Sequence, residues 1–231
     1  FNERALQNLL YVLIQQQDFN QALEVVEHLE SYGLADWRAI EAKAQITRNL
    51  RQYKKSEEIW RQLLEEKPEY KEDSEILYGL ADSLFLQDRF SEALEVLNPA
   101  IEDIEHTDLR CLSLACNLYK AMGKYSEEFE LLDSRKKTFA DNPNLLMRHM
   151  DLGFRFGHEK EANESLVLID ELRMQGKVSK DTLSIVSIDE VKDLIKKQAE
   201  SWKQLQTLYK DGKIPRLVLC EQTNTSPYLD W

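Results

Sequence analysis

The sequence predicts an all-α protein that is built from repeated pairs of helices. Only 7 glycines and 5 prolines occur in 231 residues. Such low usage of turn-forming residues favours long helices that are joined by short connections. A short pattern also recurs four times at nearly constant spacing, and the apolar residues ahead of each copy follow one face of a helix.

The recurring pattern is an aromatic residue directly after a polar break. The four copies read QQDFNQALEVV, LRQYKKSEEIW, LQDRFSEALEVL and AMGKYSEEFELL. The aromatic residues are Phe19, Tyr53, Phe90 and Tyr125. They are separated by 34, 37 and 35 residues. The residues three positions later are Ala22, Ser56, Ala93 and Glu128. Each copy therefore predicts a second helix that begins after a tight turn.

Apolar residues ahead of each break predict the first helix of the pair. In the first unit these residues are Leu6, Leu9, Leu10 and Leu13. Spacings of three, one and three mark one apolar helix face. Each unit is therefore expected to be a helix, a tight turn and a second helix, with both apolar faces turned inward.

These units resemble the tetratricopeptide repeat, which has a period of 34 residues. The small residue on the second helix marks the place where the two helices cross closely. Pro68 matches the proline near the end of the family's second helix, and Gly123 suits a left-handed turn. The resemblance implies a right-handed α-α superhelix, or solenoid, over residues 1–176. Its five units are approximately 1–34, 35–70, 71–106, 107–141 and 142–176.

Two units depart from the pattern of the family. In the fourth unit Glu128 occupies the small site, where a carboxylate must reach solvent or find a partner. In the fifth unit Glu159 replaces the aromatic residue, although Ala162 keeps the small site.

Residues 177–231 follow a different pattern. The run from Ser187 to Glu190 is typical of a capping box and predicts a long helix over about Ile188 to Lys210. That helix is expected to cap the solenoid, and the residues after it form a tail or a linker to a following domain. An alternative is that LSIVSI and RLVLC are strands of a following β-α-β unit. Because the chain begins with Phe and stops at Trp231, we expect it to be a piece of a longer protein.

Composition argues against several classes of function. A net charge of −12 disfavours nucleic-acid and anionic membrane partners, and no apolar run approaches the roughly 18 residues of a membrane span. Three cysteines form no disulfide framework and are typical of a cytoplasmic protein. No glycine-rich phosphate loop, nucleophile motif or metal-ligand spacing occurs. The sequence predicts no enzyme activity, no cofactor and no metal.

The resemblance implies that the first helix of each unit lines a concave groove for a protein segment. The groove positions include six cations and four carboxylates, which suits a partner with acidic and apolar anchors. The cations are Arg4, Arg38, Arg48, Arg110, Lys120 and Arg155, and the carboxylates are Glu41, Glu75, Asp82 and Asp151. The candidate binding residues are Arg4, Tyr11, Arg38, Gln45, Arg48, Tyr78, Asp82, Phe85, Arg110, Asn117, Lys120, Phe154 and Arg155.

The leading hypothesis is a non-catalytic protein-protein interaction scaffold that binds a peptide or protein segment in this groove. The alternative is a regulatory or recruitment arm of an enzyme domain that lies beyond residue 231. RNA binding along the groove arginines is disfavoured by the acidic charge. Self-association through a terminal repeat stays open.

Overall fold

The computed structural model describes residues 3–102 and 107–178, together with Lys197, Glu200, Ser201, Gln204 and Thr207. The regular structure of the described ranges comprises ten α-helices and one short 3-10 helix. No strand occurs in these ranges. The all-α prediction is therefore confirmed.

The chain divides into two compact units, Phe1–Gly123 and Lys124–Trp231. The boundary falls inside the fourth predicted repeat, and the division into five repeats stays a prediction. The helices of the first unit are α1 (Glu3–Gln15), α2 (Phe19–Ser31), α3 (Trp37–Asn49), α4 (Tyr53–Glu66), a 3-10 helix (Pro68–Tyr70), α5 (Ser74–Phe85), α6 (Phe90–Glu102) and α7 (Leu109–Ala121). The helices of the second unit are α8 (Tyr125–Arg135), α9 (Pro143–Phe156) and α10 (Glu159–Met174).

The predicted register of the second helices is correct. Each aromatic residue of the recurring pattern is the first residue of its helix, in α2, α4, α6 and α8. Glu159 begins α10 in the same way. Helix α6 also continues through Pro99 to Glu102.

A left-handed backbone residue lies just before each of these helices. Gly123 and Gly157 have φ of 69° and 85°, as expected for Gly123. The same conformation recurs without glycine at Gln17, Arg51 and Asp88, where φ is 59°, 61° and 60°. A side chain in this conformation costs about 1–2 kcal/mol. Three of the five turns therefore contain a residue whose backbone conformation costs free energy.

The first helices α3, α5, α7 and α9 each begin with a side-chain cap that was not predicted from the sequence. Asp36 accepts a hydrogen bond from the backbone N–H of Ala39 at 3.0 Å. Asp73, Asp108 and Asn142 cap α5, α7 and α9 in the same way. These caps satisfy N–H groups that have no partner within the helix. They fix where these four helices start.

The helices of the first unit pack as successive pairs. Helices α1, α3 and α5 each pack on the helix that follows, and α2, α4 and α6 pack on the first helix of the next pair. The second helices come close to their neighbours at the small sites Ala22, Ser56 and Ala93, which are 0% exposed. Helix α3 also contacts α5, and α5 contacts α7. The three first helices α3, α5 and α7 therefore lie side by side.

A buried carboxylate ties α4 to the turn between α5 and α6. Glu57 is 6% exposed, and its Oε2 atom accepts hydrogen bonds from Arg89 at 2.6 Å and Gln87 at 3.0 Å. Burial raises the pKa of Glu57, but hydrogen bonds from Arg61 and Gln87 and the charge of Arg89 outweigh burial and lower it. The side chain is therefore held ionised inside its ring of donors.

In the second unit α9 packs against both α8 and α10. A Cβ atom on Gly153 would lie 2.9 Å from the Cβ of Ala162, so the missing side chain permits a close crossing of α9 and α10. Glu128 is 0% exposed and pairs with Arg148 of α9. The carboxylate at the small site thus has the partner that its position requires.

One prediction about the apolar faces is wrong. Leu9 was placed on the inner face of the first pair, but 45% of it is exposed, as is 45% of Val12. Leu10 and Leu13 alone of the predicted set are buried, each 7% exposed. The reason is that no helix in the described residues packs over the Leu9 side of α1.

The predictions for the C-terminal region lie almost wholly outside the described residues. This holds for the long helix over Ile188 to Lys210 and for the alternative strands LSIVSI and RLVLC. The five isolated residues from Lys197 to Thr207 that the structure describes are helical and exposed.

The left-handed turns generate a stability prediction. Replacing Arg51 with glycine relieves the strain, offset in part by the greater freedom of glycine in the unfolded chain. We expect Arg51→Gly to raise the free energy of unfolding by about 0.5–1 kcal/mol, measured by urea denaturation. Arg51→Ala is the control, because it removes the same side chain and keeps the strain. Equal effects of the two substitutions would contradict the account.

Candidate functional site

A pocket of about 200 Å³ opens on the face that α3, α5 and α7 present. Five predicted groove residues line it together, although they come from three separate helices. Its lining residues are Gln45, Arg48, Asn49, Trp60, Glu75, Tyr78, Gly79, Asp82 and Arg110. We call this set the α3–α5–α7 pocket.

The pair of Arg48 and Asp82 joins α3 to α5 at the pocket. Nε of Arg48 donates to the Oδ2 atom of Asp82. The Asp82 side chain is only 9% exposed and that of Arg48 is 38% exposed. Removing Arg48 would leave the Asp82 carboxylate unpaired at a largely desolvated position. We interpret this pair as part of the wall of the pocket.

Arg110 is a more exposed cation on the other side of the pocket. Its Nη2 atom lies 3.2 Å from Oδ2 of Asp108, and its Nη1 atom lies 3.6 Å from Oε1 of Glu75. Its guanidinium carbon also lies 5.8 Å from the ring centroid of Tyr78. The Arg110 and Glu75 side chains are 53% and 54% exposed. An ion pair this long and this exposed is weak and can be exchanged for a ligand group.

Burial and neighbouring charges raise the pKa of two side chains at this face, Tyr78 and Glu41. Burial, followed by the charge of Asp82, raises the pKa of Tyr78, so its hydroxyl stays protonated and can donate a hydrogen bond. Burial also raises the pKa of Glu41, and the charges of Glu75 and Asp73 raise it further. Glu41 accepts a hydrogen bond from Gln45 at 3.0 Å. The ionised Glu41 is thus disfavoured beside its two carboxylate neighbours.

The other predicted site residues of the first unit do not line this pocket. Arg4 and Tyr11 lie exposed on α1. Arg38 stacks over the Trp37 ring at 5.3 Å. Phe85 packs on Phe90 with ring centroids 5.6 Å apart. Asn117 is exposed and Lys120 half-buried, both on α7.

The two predicted site residues of the second unit are held within that unit. Phe154 is 9% exposed. Nε of Arg155 lies 2.8 Å from Oδ2 of Asp151, one helical turn away on α9. Both were predicted as groove residues, and that role stays a prediction.

Sequence reasoning missed Trp60 and Gly79 as parts of the site. A Cβ atom on Gly79 would lie 2.4 Å from Cζ2 of Trp60, so the indole occupies the space that a side chain would fill. Trp60 is 2% exposed and forms the floor of the pocket. The signal was available, because a glycine inside a helix often marks the close approach of another group.

The second unit contains a buried histidine with two polar partners. Nδ1 of His149 lies 2.8 Å from Oγ of Ser165, and its Nε2 lies 3.2 Å from Oδ1 of Asp133. The set of residue types is that of a hydrolase triad, but Ser165 and His149 are both 0% exposed. Burial lowers the pKa of His149 and outweighs the opposing charge of Asp133. A hydroxyl so enclosed cannot reach a substrate, and we interpret the set as a hydrogen-bonded part of the core.

The described residues include no group of three or more His, Cys, Asp or Glu side chains that could hold a metal ion. In the same part of the chain no helix has both the length and the apolar character needed to cross a membrane.

Solved structures share this arrangement of helices. PilF of Pseudomonas aeruginosa matches with a TM-score of 0.62 and 18% identity over 90% of this chain and 92% of its own. A tetratricopeptide repeat protein of Parabacteroides merdae matches with a TM-score of 0.57 and 17% identity over 95% and 82%. The fold is a tetratricopeptide-like helical repeat. MamA of Desulfovibrio magneticus RS-1 is also similar, with a TM-score of 0.60 and 15% identity over 75% of this chain and 96% of its own.

The likeness to these tetratricopeptide-like structures concerns the fold. Identities of 15–18% carry no information on ligands, because this architecture serves many functions. No protein-family model matches the sequence, and no curated protein matches it either.

The carboxylates around the pocket generate a prediction on pH. The pKa of Glu41 is raised above its ordinary value of 4.5. The protonated Glu41 side chain therefore contributes fully to the stability of the folded chain below that pH, and this contribution is lost as the pH rises through the raised pKa. Glu41→Gln should therefore raise the melting temperature by a few degrees near neutral pH and have little effect near pH 4. Thermal unfolding followed by circular dichroism checks this, with the exposed Glu95→Gln as control. A stabilising effect that is the same at both pH values would contradict it.

Proposed function

We propose that this chain is a non-catalytic interaction scaffold that binds an extended protein segment at the α3–α5–α7 pocket. The observation that carries the proposal is the convergence of Gln45, Tyr78 and Arg110 from three helices on one opening. The fold supports a binding role, since side-by-side first helices offer a continuous surface on a rigid frame.

The pairing of the charges refines the expected chemistry of the partner. Arg48 is already paired with the largely buried Asp82, so it is a poor receptor for a ligand carboxylate. Arg110 contacts Asp108 at 3.2 Å through Nη2, while its longer, exposed pair with Glu75 at 3.6 Å leaves the Nη1 side open to exchange for a ligand group. A segment with one carboxylate for Arg110 and one apolar or aromatic side chain for the Tyr78 ring fits this arrangement.

The absence of catalysis is part of the same proposal. The strongest grouping of catalytic residue types in the described residues is His149 with Ser165 and Asp133, and its serine is fully buried. Cys111 lies near Arg110, but burial raises the pKa of its thiol to about 12. A thiol with so high a pKa is a weak nucleophile at neutral pH.

The cytoplasmic location also stays a prediction.

Selection of peptides tests the proposal. A display library of random peptides would be selected on the immobilised chain, and the recovered peptides measured by calorimetry. Arg110→Gln should weaken their binding at least about tenfold, which is the loss typical of a contact that matters to an interface.

Arg173→Gln is the matched control, because Arg173 is also a surface arginine, paired with Asp170 at 2.8 Å on α10. It should leave the affinity unchanged. Failure to recover any binding peptide would contradict the proposal. Peptides that bind the Arg110→Gln variant as tightly as the original chain would contradict it as well.

A further inference from the structure

One side chain of the second unit bonds to the helices on both sides of it. His149 lies on α9, and its Nδ1 atom lies 2.8 Å from Oγ of Ser165 on α10. Its Nε2 atom lies 3.2 Å from Oδ1 of Asp133 on α8. Helix α9 packs against both α8 and α10, so this imidazole links the three helices that the structure describes in this unit. We call the three side chains the His149 joint.

The imidazole of the joint is enclosed by the core. His149 is 0% exposed, and its ring stacks on that of Phe129 with the centroids 4.9 Å apart and 15° between the planes. Phe129 is itself only 5% exposed. A proton taken up by this ring would place a positive charge where water cannot solvate it, which costs free energy.

The hydrogen bonds of the joint require the neutral imidazole. The carboxylate of Asp133 can only accept, so Nε2 of His149 carries the proton and Nδ1 is left as an acceptor. The hydroxyl of Ser165 then donates to Nδ1. A protonated ring has a donor on each nitrogen, so Ser165 would lose its acceptor. Since Ser165 is 0% exposed, no solvent replaces that bond.

Charged groups face the joint from both neighbouring helices, but they lie towards solvent. Asp133 and Lys136 come from α8 and the turn after it, and Glu161 and Glu164 come from α10. The Asp133 and Glu164 side chains are 41% and 48% exposed, and they lie 3.7 and 2.5 Å from Nζ of Lys136. Their attraction for a proton on His149 is therefore weakened by water and shared with a cation. Burial outweighs these charges and lowers the pKa of His149.

We propose that the His149 joint is a pH-sensitive switch, in which proton uptake by His149 in mildly acidic solution breaks the bond to Ser165 and loosens α9 from α8 and α10. The ordinary pKa of histidine is 6.5, so the unfolded chain takes up the proton more readily than the folded one. The second unit is therefore most stable above that pH and loses stability as the pH falls below it. This inference concerns a different unit from the α3–α5–α7 pocket and does not depend on a function of that pocket.

Hydrogen exchange followed by mass spectrometry on the 231-residue chain tests the proposal. Protection factors, corrected for the intrinsic exchange rate, would be compared at about pH 7.5 and about pH 5.5. Those of the amides in α8, α9 and α10 should fall about three- to tenfold, tenfold being the limit for a histidine that stays neutral in the folded chain. The amides of α3–α6 should keep their protection, because residues 37–102 contain no histidine.

His149→Gln keeps a hydrogen-bonding side chain that cannot take up a proton at these pH values. It should abolish the fall, whatever its effect on the protection measured at the higher pH. His158→Gln is the matched control, because His158 is an exposed histidine of the same unit and stacks on Phe129 with the centroids 4.4 Å apart. It should leave the fall unchanged.

An NMR titration of the Cε1–H of His149 in the unaltered chain gives a second measurement that does not depend on the folding of a variant. Its midpoint should lie below 6.5, the ordinary value. A midpoint at or above this value overturns the proposal. So does protection that stays constant or falls equally in both units, a fall that persists in His149→Gln, or a fall that His158→Gln abolishes.

Discussion

Within each compact unit the structure depends on close helix crossings at one position of the second helices. The second helix of every pair carries a small site that is 0% exposed, at Ala22, Ser56, Ala93 and Ala162, with Glu128 as the exception. A small side chain lets two helix backbones approach, and the larger residues one and two turns away then fill the space beside the contact. Where Glu128 takes this place, the chain supplies Arg148 to neutralise it. The exception therefore shows the same constraint, because a buried carboxylate is tolerated only with a paired cation.

This crossing also positions the candidate site. Ser56 donates from the small site to the carbonyl of Ala44 at 2.8 Å and lies 3.0 Å from the hydroxyl of Ser83. Those contacts hold α3, α4 and α5 in one arrangement, so that Trp60 can lie against Gly79. The pocket opens above this contact. Packing of the second helices thus determines which side chains of the first helices meet.

The sequence predicted those features that a local steric rule imposes. The first residues of α2, α4, α6 and α8 follow from the aromatic pattern, and the small sites follow from the helix crossing. The turns at Gln17, Arg51 and Asp88 could not be foreseen as left-handed, because no glycine marks them. Leu9 was misplaced because burial depends on a neighbouring helix and not on helix periodicity alone.

Within the site, the sequence identified residues but not their pairing. Arg48 and Asp82 were both placed on the groove face, yet only the distance between α3 and α5 shows that they bond to each other. The sequence likewise could not show that Arg48 has a structural role and that Arg110 can exchange its partner. That difference follows from the exposure of each side chain and from the carboxylates that each contacts. The capping residues Asp73 and Asp108 could have been recognised from the sequence. Both also add negative charge beside the site.

The most direct test of the central constraint is one substitution at two positions. Ala93→Leu enlarges a small site that is 0% exposed, whereas Ala121→Leu makes the same change at an exposed position at the end of α7. The free energy of unfolding in urea should fall by about 2–3 kcal/mol for Ala93→Leu, because the two helices cannot separate without losing their contacts. It should change by less than about 0.5 kcal/mol for Ala121→Leu. Similar small effects at both positions would contradict the account that close crossing at the small site holds the repeats together.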